Sequence, residues 1–194
     1  MKHIVIIEGH PDGSEERFNR ALADAYATGA ESAGHAVTRI RVGALDFPVL
    51  RTRADWEDGA PPPDIAKTQD AIGTADHMVF LYPLWLGALP ALLKAFLEQV
   101  FRPGFTISAV SGEGPPKKLL KGKSARIVVT MGMPALAYRW FYGAHSLKSL
   151  ERNILKFSGV GPVRESVIGM VETKNVHTRT RWLARMFDLG RRGQ

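Results

Sequence analysis

Residues 77–105 read HMVFLYPLWLGALPALLKAFLEQVFRPGF. An apolar strand from His77 to Tyr82 runs straight into a Pro-Leu-Trp-Leu-Gly loop and then into an amphipathic helix. In an open α/β sheet, ligands sit beyond the carboxyl ends of the strands. That end carries Tyr82, Pro83, Leu84 and Trp85, flat or apolar groups suited to a planar aromatic ligand. Pro90 fits the first turn of the helix, where a missing N–H costs nothing. Leu89, Leu92, Leu93, Phe96, Leu97 and Val100 then fall on one face at helical spacing. As pattern alone, the stretch is equally a buried strand, a turn and a core helix with no ligand.

The same alternation extends in both directions. His3 to Glu8 reads as a buried first strand, Glu16 to Ala33 as a helix ended by Gly34, and His35 to Val42 as a second strand. Gly43 to Pro63 is a long connection, and a loop of that length inside a compact domain is usually functional or mobile. Asp64 to Thr74 is a short helix for which Asp64 is the expected N-cap. Ser124 to Thr130 is a fourth, β-branched strand ending in a Met-Gly-Met-Pro turn. Ser146 to Phe157 follows as a helix and Pro162 to Ile168 as a fifth strand, before a terminal helix around Thr178 to Leu189. Five strands alternating with helices predict a doubly wound parallel sheet with helices on both faces, in one domain over residues 1–194.

Composition agrees with one enzyme-sized domain. A chain of 194 residues buries about 70% of the surface its unfolded form exposes. There is no cysteine, which removes disulfides, iron–sulfur ligation and thiol nucleophiles and suits a reducing cytoplasm. No apolar run approaches the ~18 residues of a membrane span, so no stable membrane insertion is expected. The net charge of +7 and pI near 9.9 are uneven. One basic cluster holds Lys117, Lys118, Lys121, Lys123 and Arg126. The other holds Lys174, Arg179, Arg181, Arg185, Arg191 and Arg192. Neither is interleaved with exposed aromatics or part of a recognisable binding module, so nucleic acid is not the expected partner. The terminal helix is expected to pack on its own sheet, an anionic membrane or partner being the alternative.

Chemistry is sparse but localised. The exit of the first strand, Glu8-Gly-His-Pro-Asp-Gly-Ser14, opens a helix whose unpaired N–H groups and dipole suit an anion. There is no G-x-G-x-x-G and no Walker lysine, which disfavours a nicotinamide Rossmann fingerprint and a P-loop. No paired histidines stand at metal-ligand spacing, and no metal is expected. His10 reads equally as a turn histidine bonded to backbone, and the turn around Gly132 as an ordinary strand exit.

Several segments together resemble a known family. Tyr82 to Lys94, followed by Arg102-Pro-Gly-Phe105, resembles the P-x-W-(W)-x-x-x-P-A-x-L-K…G-F signature of the flavodoxin-like NAD(P)H:quinone oxidoreductases. That group includes the quinone reductases, the modulator-of-drug-activity proteins and the ancillary flavoproteins of potassium efflux systems. Gly9-His10-Pro11 with Ser14, Phe18, Asn19 and Leu22 is similar to the element that holds the flavin's phosphate there, with two residues inserted and with Glu15 and Glu16 close to the anion. Thr130-Met-Gly-Met-Pro134 stands where the family has a T-T-G-G-type turn, Gly132 being the retained glycine and Met131 and Met133 replacing small or polar residues.

The resemblance implies a flavodoxin-like sheet in the order 2-1-3-4-5. It implies a flavin, FAD or else FMN, held by His10, Ser14, Phe18, Asn19, Pro83, Leu84, Trp85, Leu86, Thr130, Gly132 and Met133. NAD(P)H would be the co-substrate, a quinone or similar small molecule the acceptor, and the assembly a homodimer that covers apolar residues around Trp140, Phe141 and Tyr142. Tyr138 and His145 would offset charge during hydride transfer, although their interval is one residue longer than the family's and Tyr142 is a rival. Leu86 and Gly87 replace bulkier aromatics, which predicts a wider acceptor cleft. A regulatory subunit that binds flavin or nucleotide and modulates a membrane transporter is the competing expectation.

Overall fold

The structure, a computed structural model, describes residues 1–13, 17–108, 116–173 and 175–194. Five strands, β1 (His3–Glu8), β2 (Ala36–Arg41), β3 (His77–Pro83), β4 (Ser124–Thr130) and β5 (Val163–Ile168), pair in parallel in the order β2-β1-β3-β4-β5. The central strands β1, β3 and β4 are buried along nearly their whole length. Helices cover both faces of the sheet, which is why these strands read as unbroken apolar runs rather than alternating ones.

In chain order the helices are α1 (Phe18–Ser32), α2 (Arg53–Glu57), α3 (Pro63–Thr74), α4 (Ala91–Val100), α5 (Ala135–Trp140), α6 (His145–Lys148) and α7 (Val176–Arg192). On one face, Leu22 and Tyr26 of α1 and Met186 and Leu189 of α7 pack with Ile4, Ile6, Val79 and Val128. The two helices approach closely because glycines stand at the crossing. A Cβ at Gly29 would lie 2.0 Å from the Phe187 carbonyl oxygen, and one at Gly190 would lie 2.1 Å from that of Tyr26. On the other face, Ile65 and Ile72 of α3 and Leu93, Phe96 and Leu97 of α4 close the larger core over Val5, Ile7, Phe80 and Ile127.

Three expectations change. Asp64 is not the cap of α3: the helix starts at Pro63, whose fixed φ is already helical, and Asp64 in the first turn accepts the Asp46 amide at 3.1 Å. The connection 43–63 contains α2, opened by a capping box between Thr52 and Asp55. It is also strapped to the end of α4, where Gln99 Nε2 donates to the Pro48 carbonyl at 2.7 Å and Arg102 Nη1 to that of Gly59 at 2.6 Å. The helix expected from Ser146 starts at His145 and widens into a π-helical stretch over Ser149–Lys156.

Candidate functional site

The carboxyl ends of β1, β3 and β4 bring three loops to one edge of the sheet. At the β3 exit, the Leu84 amide donates to the Thr130 carbonyl at 2.7 Å, which fixes this loop to the β4 exit. Trp85 and Ala88 then exchange both backbone hydrogen bonds, at 3.0 and 2.9 Å, around a two-residue turn. Leu86 and Gly87 in that turn have φ of 48° and 75°. Two successive positive φ values define a primed turn. Glycine suits the second position, whereas a leucine at the first carries strain, and such strain clusters at functional sites. The result is a fully exposed Leu86 side chain beside a half-exposed Trp85.

The β1 exit faces Trp85. The His10 ring meets it edge-on, with centroids 5.7 Å apart and an interplanar angle of 83°. His10 Nδ1 accepts the Asp12 amide at 3.0 Å, so the proton of the neutral ring sits on Nε2. Burial, and after it the positive charge of Arg17, lowers the imidazole pKa below its ordinary value. Next to it Asn19, in the first turn of α1, is buried with neither Nδ2 nor Oδ1 partnered among the described residues. Both residues line a cavity of about 90 Å³ whose wall also holds Glu8, Asp12, Arg17, Arg20 and Arg41.

The charges in that wall are paired, Arg17 with Asp12 and the others around Glu8. The Glu8 carboxylate accepts Arg39 Nε at 2.9 Å and lies 3.6 Å from Arg20 and 4.0 Å from Arg41. Gly43 closes the floor, since a Cβ there would sit 2.3 Å from the Pro11 carbonyl oxygen. Ser14 lies outside the described residues. Phe18 carries the Arg179 guanidinium 5.5 Å above its ring centre, so it packs against α7.

At the β4 exit, Thr130 is buried and the Met131 amide is spent on the Ile168 carbonyl at 2.9 Å. The amides of Gly132 and Met133 make no backbone hydrogen bond among the described residues. The open side of Gly132 faces Glu172, with 3.6 Å between a Cβ built there and the carboxylate.

The structure does not bring Tyr138 to this edge. Its side chain is buried, with the hydroxyl 2.7 Å from Ser146 Oγ and accepting the Leu147 amide at 3.2 Å. That geometry suits a post under the loop rather than a donor to a ligand. His145 is exposed, and its ring folds over Gly143. Gly143 and Ala144, with φ of 61° and 49°, turn the chain into α6. Tyr142 is half-exposed and stands edge-on to Phe141 at 5.0 Å.

Glu8, Arg20, Arg41, Gly43 and Glu172 were not read as site residues from the sequence. A charged residue closing an apolar strand, as Glu8 does, was the available signal for the first. A larger cavity of about 580 Å³ lies away from this edge, between Leu50 and Trp56, Leu97 of α4 and Phe101 just after it, and Ile154 and Phe157.

A sequence model of the family described as flavodoxin-like fold matches residues 2–185. The chain belongs to that family. Among its relatives, an uncharacterized NAD(P)H oxidoreductase of Haemophilus influenzae is 28% identical over 173 residues, 87% of this chain and 84% of that protein. The rat NAD(P)H dehydrogenase [quinone] 1 is 24% identical over 82% of this chain and 65% of its own length. The solved structure of Smu.1420 from Streptococcus mutans superposes with a TM-score of 0.79 at 28% identity, covering 98% of this chain and 99% of the other. An NAD(P)H:quinone oxidoreductase from Methanothermobacter marburgensis, 24% identical over 100% of this chain and 99% of its own, gives 0.82 and shares the fold. The flavodoxin-like architecture implied by the 77–105 stretch therefore holds over the whole sheet.

Proposed function

We propose that this flavodoxin-like protein is a flavin-dependent NAD(P)H oxidoreductase that passes two electrons to a quinone or a similar acceptor. The observation that carries the reading is Asn19. A buried side-chain amide with both polar atoms unpaired costs free energy unless a ligand satisfies it, and this one adjoins a cavity beside His10 whose wall carries Arg17, Arg20 and Arg41 against Glu8 and Asp12. The residues present therefore fit the phosphate of a flavin. FAD rather than FMN follows from the resemblance to the quinone reductases.

When bound, the flavin supplies the hydride acceptor and donor that side chains lack. The chain's part is binding, orientation and charge. His10 Nε2–H and Asn19 Nδ2 would hold the phosphate, while Pro83, Leu84, Trp85 and Leu86 would give an apolar wall that excludes water. The amides of Gly132 and Met133, which make no backbone hydrogen bond among the described residues, would offset negative charge on the flavin, by the logic of an oxyanion hole. His145, exposed at the start of α6, would offset charge during hydride transfer. The acceptor enters over Leu86, where the turn has no bulky ring.

A homodimer completes the reading. Trp140 and Phe141 are 84% and 83% exposed, and adjacent exposed apolar side chains of this kind mark an interface.

Reconstitution tests the proposal. Purified protein titrated with FAD or FMN should quench flavin fluorescence at micromolar concentration and then consume NADPH with a quinone present. Quenching without turnover favours the regulatory subunit, and no quenching with either flavin contradicts the reading altogether.

A further inference from the structure

We propose that the solvent face of α7 docks the protein on an anionic lipid surface. The helix carries five arginines against one aspartate. Arg181, Arg185 and Arg192 stand at i, i+4 and i+11, which aligns them on one exposed face over about 16 Å of helix. Asp188 is the sole acid there. Among the described residues, none of the five arginines forms an ion pair, although Arg20 and Arg39 on the neighbouring part of the molecule are held by Glu8 and Asp24. Arg185 instead lies over the Trp182 ring at 5.1 Å, and Arg179 is taken up by Phe18 and the Val171 carbonyl.

Charge complementarity therefore asks for an anionic partner, and the geometry favours a flat one. The glycine contacts at Gly29 and Gly190 seat α7 flush on α1, so the exposed arginines are presented from one rigid face. Trp182, half-buried at the edge of the stripe, is a residue type that sits well at a lipid headgroup level. Among the described residues no helix is long and apolar enough to cross a membrane, so the contact is peripheral and electrostatic. Such a contact contributes roughly fivefold in binding per arginine near an anionic surface and is screened by salt. The amino end of α7 lies at the sheet edge that carries the cleft. The docking does not depend on the flavin reading.

Cosedimentation with vesicles tests it, using the full chain. Vesicles of roughly 30% phosphatidylglycerol in phosphatidylcholine should retain the protein, phosphatidylcholine alone should not, and about 0.5 M salt should release it. Combining Arg181→Gln, Arg185→Gln and Arg192→Gln should weaken retention about a hundredfold while leaving the melting temperature and flavin content unchanged. A control combining Lys117→Gln, Lys148→Gln and Arg152→Gln removes the same charge from other surfaces and should bind like the parent. Equal loss in both variants, retention by uncharged vesicles, or preference for duplex DNA at equal phosphate concentration overturns the proposal.

Discussion

Two polar regions flank the candidate cleft, and they are finished in opposite ways. At the β1 exit, Asn19 has no partner and His10 keeps an Nε2 proton free, beside a cavity. Across the edge, the Tyr138 hydroxyl is already satisfied by Ser146 and Leu147 in a packed interior. Buried polar groups are costly when unpaired, so the first region is built for something that arrives and the second for the fold itself. A cavity is part of the argument. His77 Nε2 is also buried and unpartnered, but it lines no cavity described above, and burial holds its pKa down to about 3, so the ring stays neutral as a core residue.

The largest effect should separate His145 from Tyr138. His145→Gln should slow flavin reduction by NADPH about 10² to 10³ fold, the scale of a lost preorganised donor, in stopped-flow at saturating cofactor. Tyr138→Phe should slow it less than about tenfold, since its hydroxyl is engaged elsewhere. If the two slow equally, the comparison fails. If neither does, Tyr142 is the donor to test.

A smaller effect should split binding from stability. Asn19→Leu should weaken flavin binding about 10 to 100 fold, the value of a hydrogen bond to a charged group, and leave the melting temperature of the flavin-free protein unchanged or higher. Ser146→Ala should do the reverse, lowering that temperature by a few degrees, the result of about 1–2 kcal/mol lost from a buried hydroxyl pair, with flavin affinity unaltered. A drop in stability for Asn19→Leu comparable to that for Ser146→Ala would show that Asn19 is ordinary core.

The smallest effect concerns acceptor range. The sequence suggests refilling the cleft at Gly87, but its φ of 75° makes that position a glycine site. Leu86 already adopts its positive φ, so Leu86→Trp is the sounder change. It should lower kcat/KM for a naphthoquinone several-fold more than for a benzoquinone, within the ~1–3 kcal/mol that an apolar group commands. Equal effects on both would place the acceptor elsewhere.

The sheet was legible because β1, β3 and β4 are covered on both faces and so spell continuous apolar runs, each followed by Gly, Pro or Trp at its exit. The β3 loop and His10 were legible for the same reason, being adjacent in sequence to those exits. Tyr138 was not, because its partner Ser146 reaches it only through the left-handed Gly143–Ala144 turn, a conformation that an alanine does not announce. Nor were the arginines around Glu8, which arrive from β2 and α1 by parallel register, nor Glu172, which belongs to the loop after β5. Contacts set by register or by turn geometry leave little trace in local composition.

The most direct test of the central claim is the anaerobic visible spectrum of the purified, flavin-reconstituted protein before and after one equivalent of NADPH. Bound flavin that bleaches on NADPH and recovers on adding a quinone is the predicted result. A flavin band that NADPH leaves unchanged contradicts the assignment of this cleft to hydride transfer.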